Sequence, residues 1–99
     1  MAGRVVGVDV GGTKILAGVV DAEGTVQHRR ERLTELQTQE RLVEELGAAV
    51  EDVLDDSIEA IGFGLPSRID QQTGRVEGSV NIPLADVPLR DLMRERFGL

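Results

Sequence analysis

Between Val5 and Asp21 two apolar runs, Val5-Val6-Gly7-Val8 and Ile15-Leu16-Ala17-Gly18-Val19-Val20, flank the hexapeptide Asp9-Val10-Gly11-Gly12-Thr13-Lys14. Valine and isoleucine favour extended backbone, so the segment reads as two paired strands joined by a tight turn. The residue types at the turn carry a specific chemistry. A carboxylate at a strand end, Asp9, can hold a hydrated magnesium ion beside a turn whose N–H groups face phosphate oxygens. Gly11 and Gly12 lack Cβ atoms, which permits positive φ and lets a phosphate approach the main chain. Thr13 adds a hydroxyl donor and Lys14 a cation. Gly-Gly alone favours an ordinary hairpin turn, and Asp before glycine is an ordinary turn former. The complete hexapeptide opening a second strand favours the phosphate reading.

Two better-known phosphate loops are excluded. Gly7 and Gly12 have the spacing of a Walker A loop, but Thr13-Lys14 reverses its Lys-Ser/Thr order, and a strand follows where that loop needs a helix. Gly62-Phe63-Gly64-Leu65-Pro66-Ser67 begins like a dinucleotide fingerprint, yet Pro66 and the turn-rich residues after it cannot open the required helix.

The rest of the chain supplies an ordered set of elements. After the strands Arg4 to Val10 and Lys14 to Asp21, the turn Ala22-Glu23-Gly24 leads into a more polar strand from Thr25 to Leu33. From Thr38 to Asp55, Leu42, Val43, Leu46, Ala49, Val50, Val53 and Leu54 recur at helical spacing, with Glu44, Glu45, Glu51 and Asp52 mostly off that face. Gly47 costs this helix about 1 kcal/mol against Ala, which marks either close packing or a tolerated defect. Ser57 to Leu65 reads as a buried fourth strand, parallel to the first because a helix precedes it. The C-terminal ends of strands 1 and 4 then open onto one edge, where ligands of open α/β sheets collect, and there Asp9 neighbours Pro66 and Ser67. Asp70 to Gly74 reads as a hairpin turn, with Asp70 bonding local backbone and Gly74 at positive φ. Asp86 to Leu99 reads as a helix with Pro88 near its first turn, Gly98 as its stop, and Leu89, Leu92, Met93 and Phe97 on its apolar face.

The run from Val5 to Asp21 resembles the phosphate motif of the sugar kinase, actin and Hsp70 superfamily, and its Asp-x-Gly-Gly-Thr-Lys form resembles the ROK family of repressors and sugar kinases. A second block agrees: Ile61-Gly62-Phe63-Gly64-Leu65-Pro66, Ile69-Asp70, Thr73-Gly74-Arg75-Val76 and Asn81-Ile82-Pro83-Leu84. Matches run in order from Arg4 to Leu99. The resemblance implies an α/β fold: one RNase H-like, actin-like ATPase lobe spanning residues 1–99. Its mixed five-stranded sheet would have strands 1–3 antiparallel, then a helix and a parallel strand 4, with a C-terminal helix. It also implies that this is the N-terminal lobe of a two-lobed ATP- and magnesium-dependent hexose kinase of glucokinase type. In that family the catalytic base lies in an Asn-Asp pair further along, so no catalytic residue is expected within this chain and the piece alone is expected to be inactive. Asp9, through water, takes the magnesium role; Gly11, Gly12, Thr13 and Lys14 take the nucleotide phosphates.

The family's Asn at the position of Asn81 bonds the hexose, and an amide that both donates and accepts suits a polyol. Without the resemblance, Asn81 before Ile82-Pro83 reads more readily as a loop capper. Most of the family has Gly after the proline of the Pro66 loop. Ser67-Arg68 departs from that pattern, so Pro66 and Ser67 bear on substrate choice. Two other classes share the lobe: a sugar-sensing repressor, and an actin-like ATPase without sugar. A repressor carries a helix-turn-helix ahead of it, and a first strand opening at Arg4 leaves no room for one. Asn81 and the Pro66 loop argue against the sugar-free ATPase.

Charge and composition bound the partners. A formal net charge of -7 opposes counterion-driven binding to nucleic acid, and 2% aromatic residues supply no base-stacking platform. No cysteine, no secretory-type leader and no membrane-length apolar run lead to the expectation of a soluble cytoplasmic protein bound to neither nucleic acid nor membrane. His28, beside Arg29 and Arg30, reads as a solvated side chain rather than a metal ligand. The family commonly forms homodimers, through elements expected outside this stretch.

Overall fold

The computed structural model describes residues 3–99. β1 (Arg4–Val10) and β2 (Lys14–Val20) form the antiparallel pair read from the sequence, with Gly7 opposite Gly18 and Asp9 opposite Leu16. β3 (Val26–Leu33) adds antiparallel to β2. α1 (Gln39–Val53) crosses over, and β4 (Ile58–Gly64) returns parallel to β1. The sheet order is β3-β2-β1-β4. This puts the C-terminal ends of β1 and β4 side by side, with Asp9 in register with Gly64.

Strand alternation decides which face carries α1. Val6, Val8 and Val10 of β1 and Ile15, Ala17 and Val19 of β2 are at most 4% exposed, and they join Leu42, Leu46, Ala49, Val50 and Val53 of α1 in one apolar core. Thr38 caps the helix, its hydroxyl oxygen accepting the Arg41 N–H at 3.1 Å. The acidic flanks of α1 clamp neighbouring elements. Arg32 of β3 donates to Asp52 at 2.7 and 3.3 Å and to Glu45 at 2.9 Å. From α2 (Leu89–Phe97), Arg96 reaches Glu44 at 3.3 Å and Glu51 at 3.1 Å.

Three expectations are corrected. The sheet has four strands rather than five: β5 (Ser67–Asp70) and β6 (Arg75–Ser79) pair only with each other. Pro66 has no N–H to continue the ladder, and the chain turns there into a separate hairpin. β4 is also not a buried strand. Ile58 is covered and Ile61 and Phe63 pack on the core, while Glu59, Ala60, Gly62 and Gly64 are exposed. β4 is a sheet edge, and among the described residues only the α1 face of the sheet is covered; the other face bears a groove of about 610 Å³ lined in part by Val5, Gly7, Leu16, Gly18 and Gly62. In α2, Leu89 and Met93 are buried but Leu92 is 39% exposed, because the helix lies against the core along a narrower stripe than its apolar spacing allows. The Gly98 stop is found as read, left-handed at φ 73° with its N–H on the Arg94 carbonyl.

Candidate functional site

β1 ends in a carboxylate because the pleat that buries Val8 and Val10 turns Asp9 to the opposite face, where it is exposed. Across the edge Gly64 of β4 lies beside it: a β-carbon built there would be in ordinary contact with Asp9 Oδ1 at 3.6 Å.

The turn from Gly11 to Thr13 is closed by the Gly11 N–H donating to the Lys14 carbonyl at 2.9 Å. Neither glycine has positive φ, contrary to the sequence expectation. The four-residue closure is satisfied by ordinary backbone, and a β-carbon at either glycine would make only ordinary contacts. A β-carbon on Gly11 would meet the Lys14 carbonyl at 3.6 Å, and one on Gly12 would meet Asn81 Cβ at 3.8 Å. The N–H groups of Gly12 and Thr13 have no acceptor among the described residues. Free N–H donors in a tight turn form an anion-accepting concavity. The turn is also held from below: Thr34, just past β3, donates its N–H to the Thr13 carbonyl at 2.9 Å and its hydroxyl to the Gly11 carbonyl at 2.8 Å. No motif marks Thr34. A hydroxyl residue at the end of a strand that pairs back toward the turn is the only sequence signal for it.

Asn81 is brought over Gly12 by a well-anchored segment. Ile82 and Leu84 are buried, the Val80 N–H donates to the Pro66 carbonyl at 2.8 Å, and the Ala85 N–H donates to the Gln39 side chain at 2.7 Å. Asn81 itself is exposed and left-handed at φ 67°, a conformation Asn tolerates better than most residues. Its amide makes no hydrogen bond to the described residues. Ser67 pairs across the hairpin with Ser79, their hydroxyl oxygens 2.5 Å apart, beside a cavity of about 520 Å³ bounded by Pro66, Arg68, Gly78 and Val80.

The structure sets Asn81 against Gly12, with Pro66 tied to the residue before Asn81, while Asp9 stands beside Gly64 at the paired ends of β1 and β4. Lys14 is turned elsewhere: its ammonium lies 3.8 Å from Glu31 Oε2 across the β2–β3 pair. Asp70 serves the hairpin as read, accepting the Gln72 N–H at 2.9 Å, and His28 is exposed at a β3 irregularity with φ 56°. The perturbed ionisations belong to other residues. Hydrogen bonds to Asp52 and then Glu45 raise Arg32, the bond from Arg32 lowers Asp52, and bonds from the Ser57 hydroxyl and N–H lower Asp55.

A mixed sheet with a helix packed on one face makes this an α/β fold, similar to that of solved kinases. The chain belongs to the ROK family, whose family model matches residues 5–99. A glucokinase of Streptomyces coelicolor is 37% identical over 98 residues, which is 98% of this chain and 31% of the relative. The crystal structure of a ROK family glucokinase from Streptomyces griseus in complex with glucose and AMPPNP is similar at a TM-score of 0.88 and 38% identity, covering 98% of this chain and 31% of that one. A putative xylose repressor from Caldicellulosiruptor sp. is 28% identical over 104 aligned positions, covering 98% of this chain and 26% of the relative. The chain therefore spans under a third of the length of these relatives.

Proposed function

We propose that this chain is the N-terminal part of an ATP-dependent sugar kinase that transfers the γ-phosphoryl group of ATP to a hexose hydroxyl. The observation that carries the reading is the placement of Asn81 over Gly12, which sets a sugar-reading amide against a turn with two free N–H donors. The similarity to a glucokinase holding glucose and an ATP analogue supports it. Gly11, Gly12 and Thr13 hold the nucleotide phosphates, while Lys14, paired with Glu31, is not assigned to them. Pro66, Ser67 and Asn81 face the sugar.

Magnesium fits the donor set. No group of three or more acidic, His or Cys ligands exists among the described residues. Mg²⁺ keeps most of its waters and takes one or two carboxylates plus the phosphates, a role that Asp9 alone satisfies. The bound ion supplies charge neutralisation at the transferred group, and phosphoryl transfer is dominated by such positioning and electrostatics. The acceptor hydroxyl needs a base, which we assign to residues beyond this stretch.

The test is a panel of hexoses and N-acetylhexosamines with the full-length parent, alongside Asp9→Asn. Sugar phosphorylation by the parent and its loss of roughly a hundredfold or more in the variant is the expected outcome. Equal activity in the variant removes the metal role from Asp9. Purified 1–99 is expected to turn over no sugar, and robust turnover by it would refute the placement of the base. No helix of the described chain is long and apolar enough to cross a membrane. A cytoplasmic, homodimeric parent belongs to the same proposal.

The repressor relative favours a second reading, a sugar-sensing lobe without kinase activity. Operator binding by the parent that responds to a sugar, with no phosphorylation of any sugar in the panel, would establish it instead.

A further inference from the structure

Phosphate binding by the glycine turn depends on which way its peptide planes face. In a trans peptide the carbonyl and the following N–H point in opposite directions, so holding one fixes the other. The Gly11–Gly12 peptide is the loosest in the turn, since glycine on both sides places little steric limit on rotating the plane. The Gly11 N–H is already used by the Lys14 carbonyl. The Gly11 carbonyl has a partner outside the turn, the Thr34 hydroxyl at 2.8 Å. The Thr34 N–H meanwhile holds the Thr13 carbonyl at 2.9 Å, so one residue grips the turn at two points from the β3 side. Thr34 is half-buried and lies outside the turn itself.

We propose that Thr34 is a positioning residue of the nucleotide site: its hydroxyl holds the Gly11 carbonyl toward β3 and so keeps the Gly12 N–H facing the phosphates. The inference rests on the kinase reading and adds to it a side chain that touches neither nucleotide nor sugar. Thr34→Val removes the hydroxyl while preserving shape, β-branching and the backbone bond to Thr13. The Gly11 carbonyl then loses its only partner among the described residues, and the plane is free to turn. Thr34→Ser restores the donor.

The test uses the full-length parent and both variants, titrated calorimetrically with ADP and magnesium in the absence of sugar, and with hexose alone. Amide hydrogen exchange over Gly11 to Lys14 in the nucleotide-free protein gives a second readout. Thr34→Val should weaken ADP binding about five- to tenfold, the worth of one hydrogen bond, and speed exchange in the turn. Hexose affinity should stay within about twofold and Thr34→Ser should match the parent. Unchanged ADP affinity in Thr34→Val overturns the proposal, as does a Ser variant as weak as Val. An equal fall in ADP and hexose affinity with a lowered melting temperature also overturns it, since that marks a general loss of structure. A parent that binds no ADP defeats the kinase reading itself, which distinguishes the two failures.

Discussion

Asn81 stands directly over Gly12, close enough that a β-carbon on the glycine would touch its own at 3.8 Å, and it does so with a left-handed backbone at φ 67°. The backbone is set by buried neighbours, while the amide is left without a partner among the described residues. That separation allows a clean substitution. Asn81→Gly keeps the left-handed conformation at no steric cost and removes only the amide. In the full-length parent it should raise the hexose KM about tenfold or more, the usual cost of one lost polar contact to a substrate, with the ATP KM within about twofold. Equal rises in both constants would show that Asn81 shapes the turn rather than reading the sugar.

Gly74 is the position where the backbone demands glycine most strictly. Its φ is 73°, and a β-carbon there would run into Cβ of Arg90, an atom fixed by the start of α2 rather than the free end of a side chain. The Arg90 N–H also donates to the Gly74 carbonyl at 3.3 Å, joining the hairpin to the helix. Gly74→Ala should therefore cost about 2–3 kcal/mol, combining left-handed strain with overpacking. Urea denaturation of parent and variant measures it; a cost under about 0.5 kcal/mol would mean that the β6–α2 contact yields easily.

The hexapeptide from Asp9 to Lys14 and the alternation around it were enough to read β1, β2 and the antiparallel pairing, because both strands bury one face and the turn leaves no freedom of register. Helix α1 was equally legible from Thr38 and its apolar spacing. The β5–β6 hairpin turn was legible in Asp70 and Gly74, but its detachment from the main sheet was not. Strand propensity says which residues extend and is silent on which edge they join. Burial of β4 was misread for the same reason, since an apolar run looks identical whether one face or two are covered. Ion pairs such as Lys14 with Glu31 and the grip of Thr34 on the turn join residues distant in sequence, so no local pattern announces them.

Gly47 reads as a defect in α1 until Arg96 is placed. A β-carbon on Gly47 would fall on the Arg96 guanidinium, which lies across the helix to reach Glu44 and Glu51 and stands 5.4 Å from the centre of the Phe97 ring. The clash is with the free end of a flexible side chain, so Arg96 can swing aside. Gly47→Ala then gains about 1 kcal/mol of helix propensity and loses partly exposed ion pairs worth about as much, leaving stability nearly unchanged. With Arg96→Ala already in place, the same glycine change has nothing to displace and should stabilise by about 1 kcal/mol. A double-mutant cycle by denaturant unfolding checks this, and strictly additive effects would show that the two residues do not meet in solution.

Arg32 fastens β3 to α1 through two oxygens of Asp52 and one of Glu45. The bond from Arg32 holds the Asp52 carboxyl below its ordinary value of 3.8, so the folded chain binds a proton there less readily than the unfolded chain does. A depressed folded-state pKa contributes stability above the unfolded value, and that contribution is lost as pH falls through 3.8 toward the lower folded value. With about a third of each side chain exposed, screening limits the contribution to about 1 kcal/mol. Asp52→Asn should therefore be less stable than the parent at pH 6 by about that amount and should lose less stability on acidification from pH 4 to pH 2, as followed by denaturant titration at each pH. Arg32→Met should abolish the same difference, because the carboxyl then titrates alike in both states. Parallel pH profiles for the parent and Asp52→Asn would show that the acid sensitivity of this lobe arises elsewhere, Asp55 with its bonds from Ser57 being the other carboxylate held low.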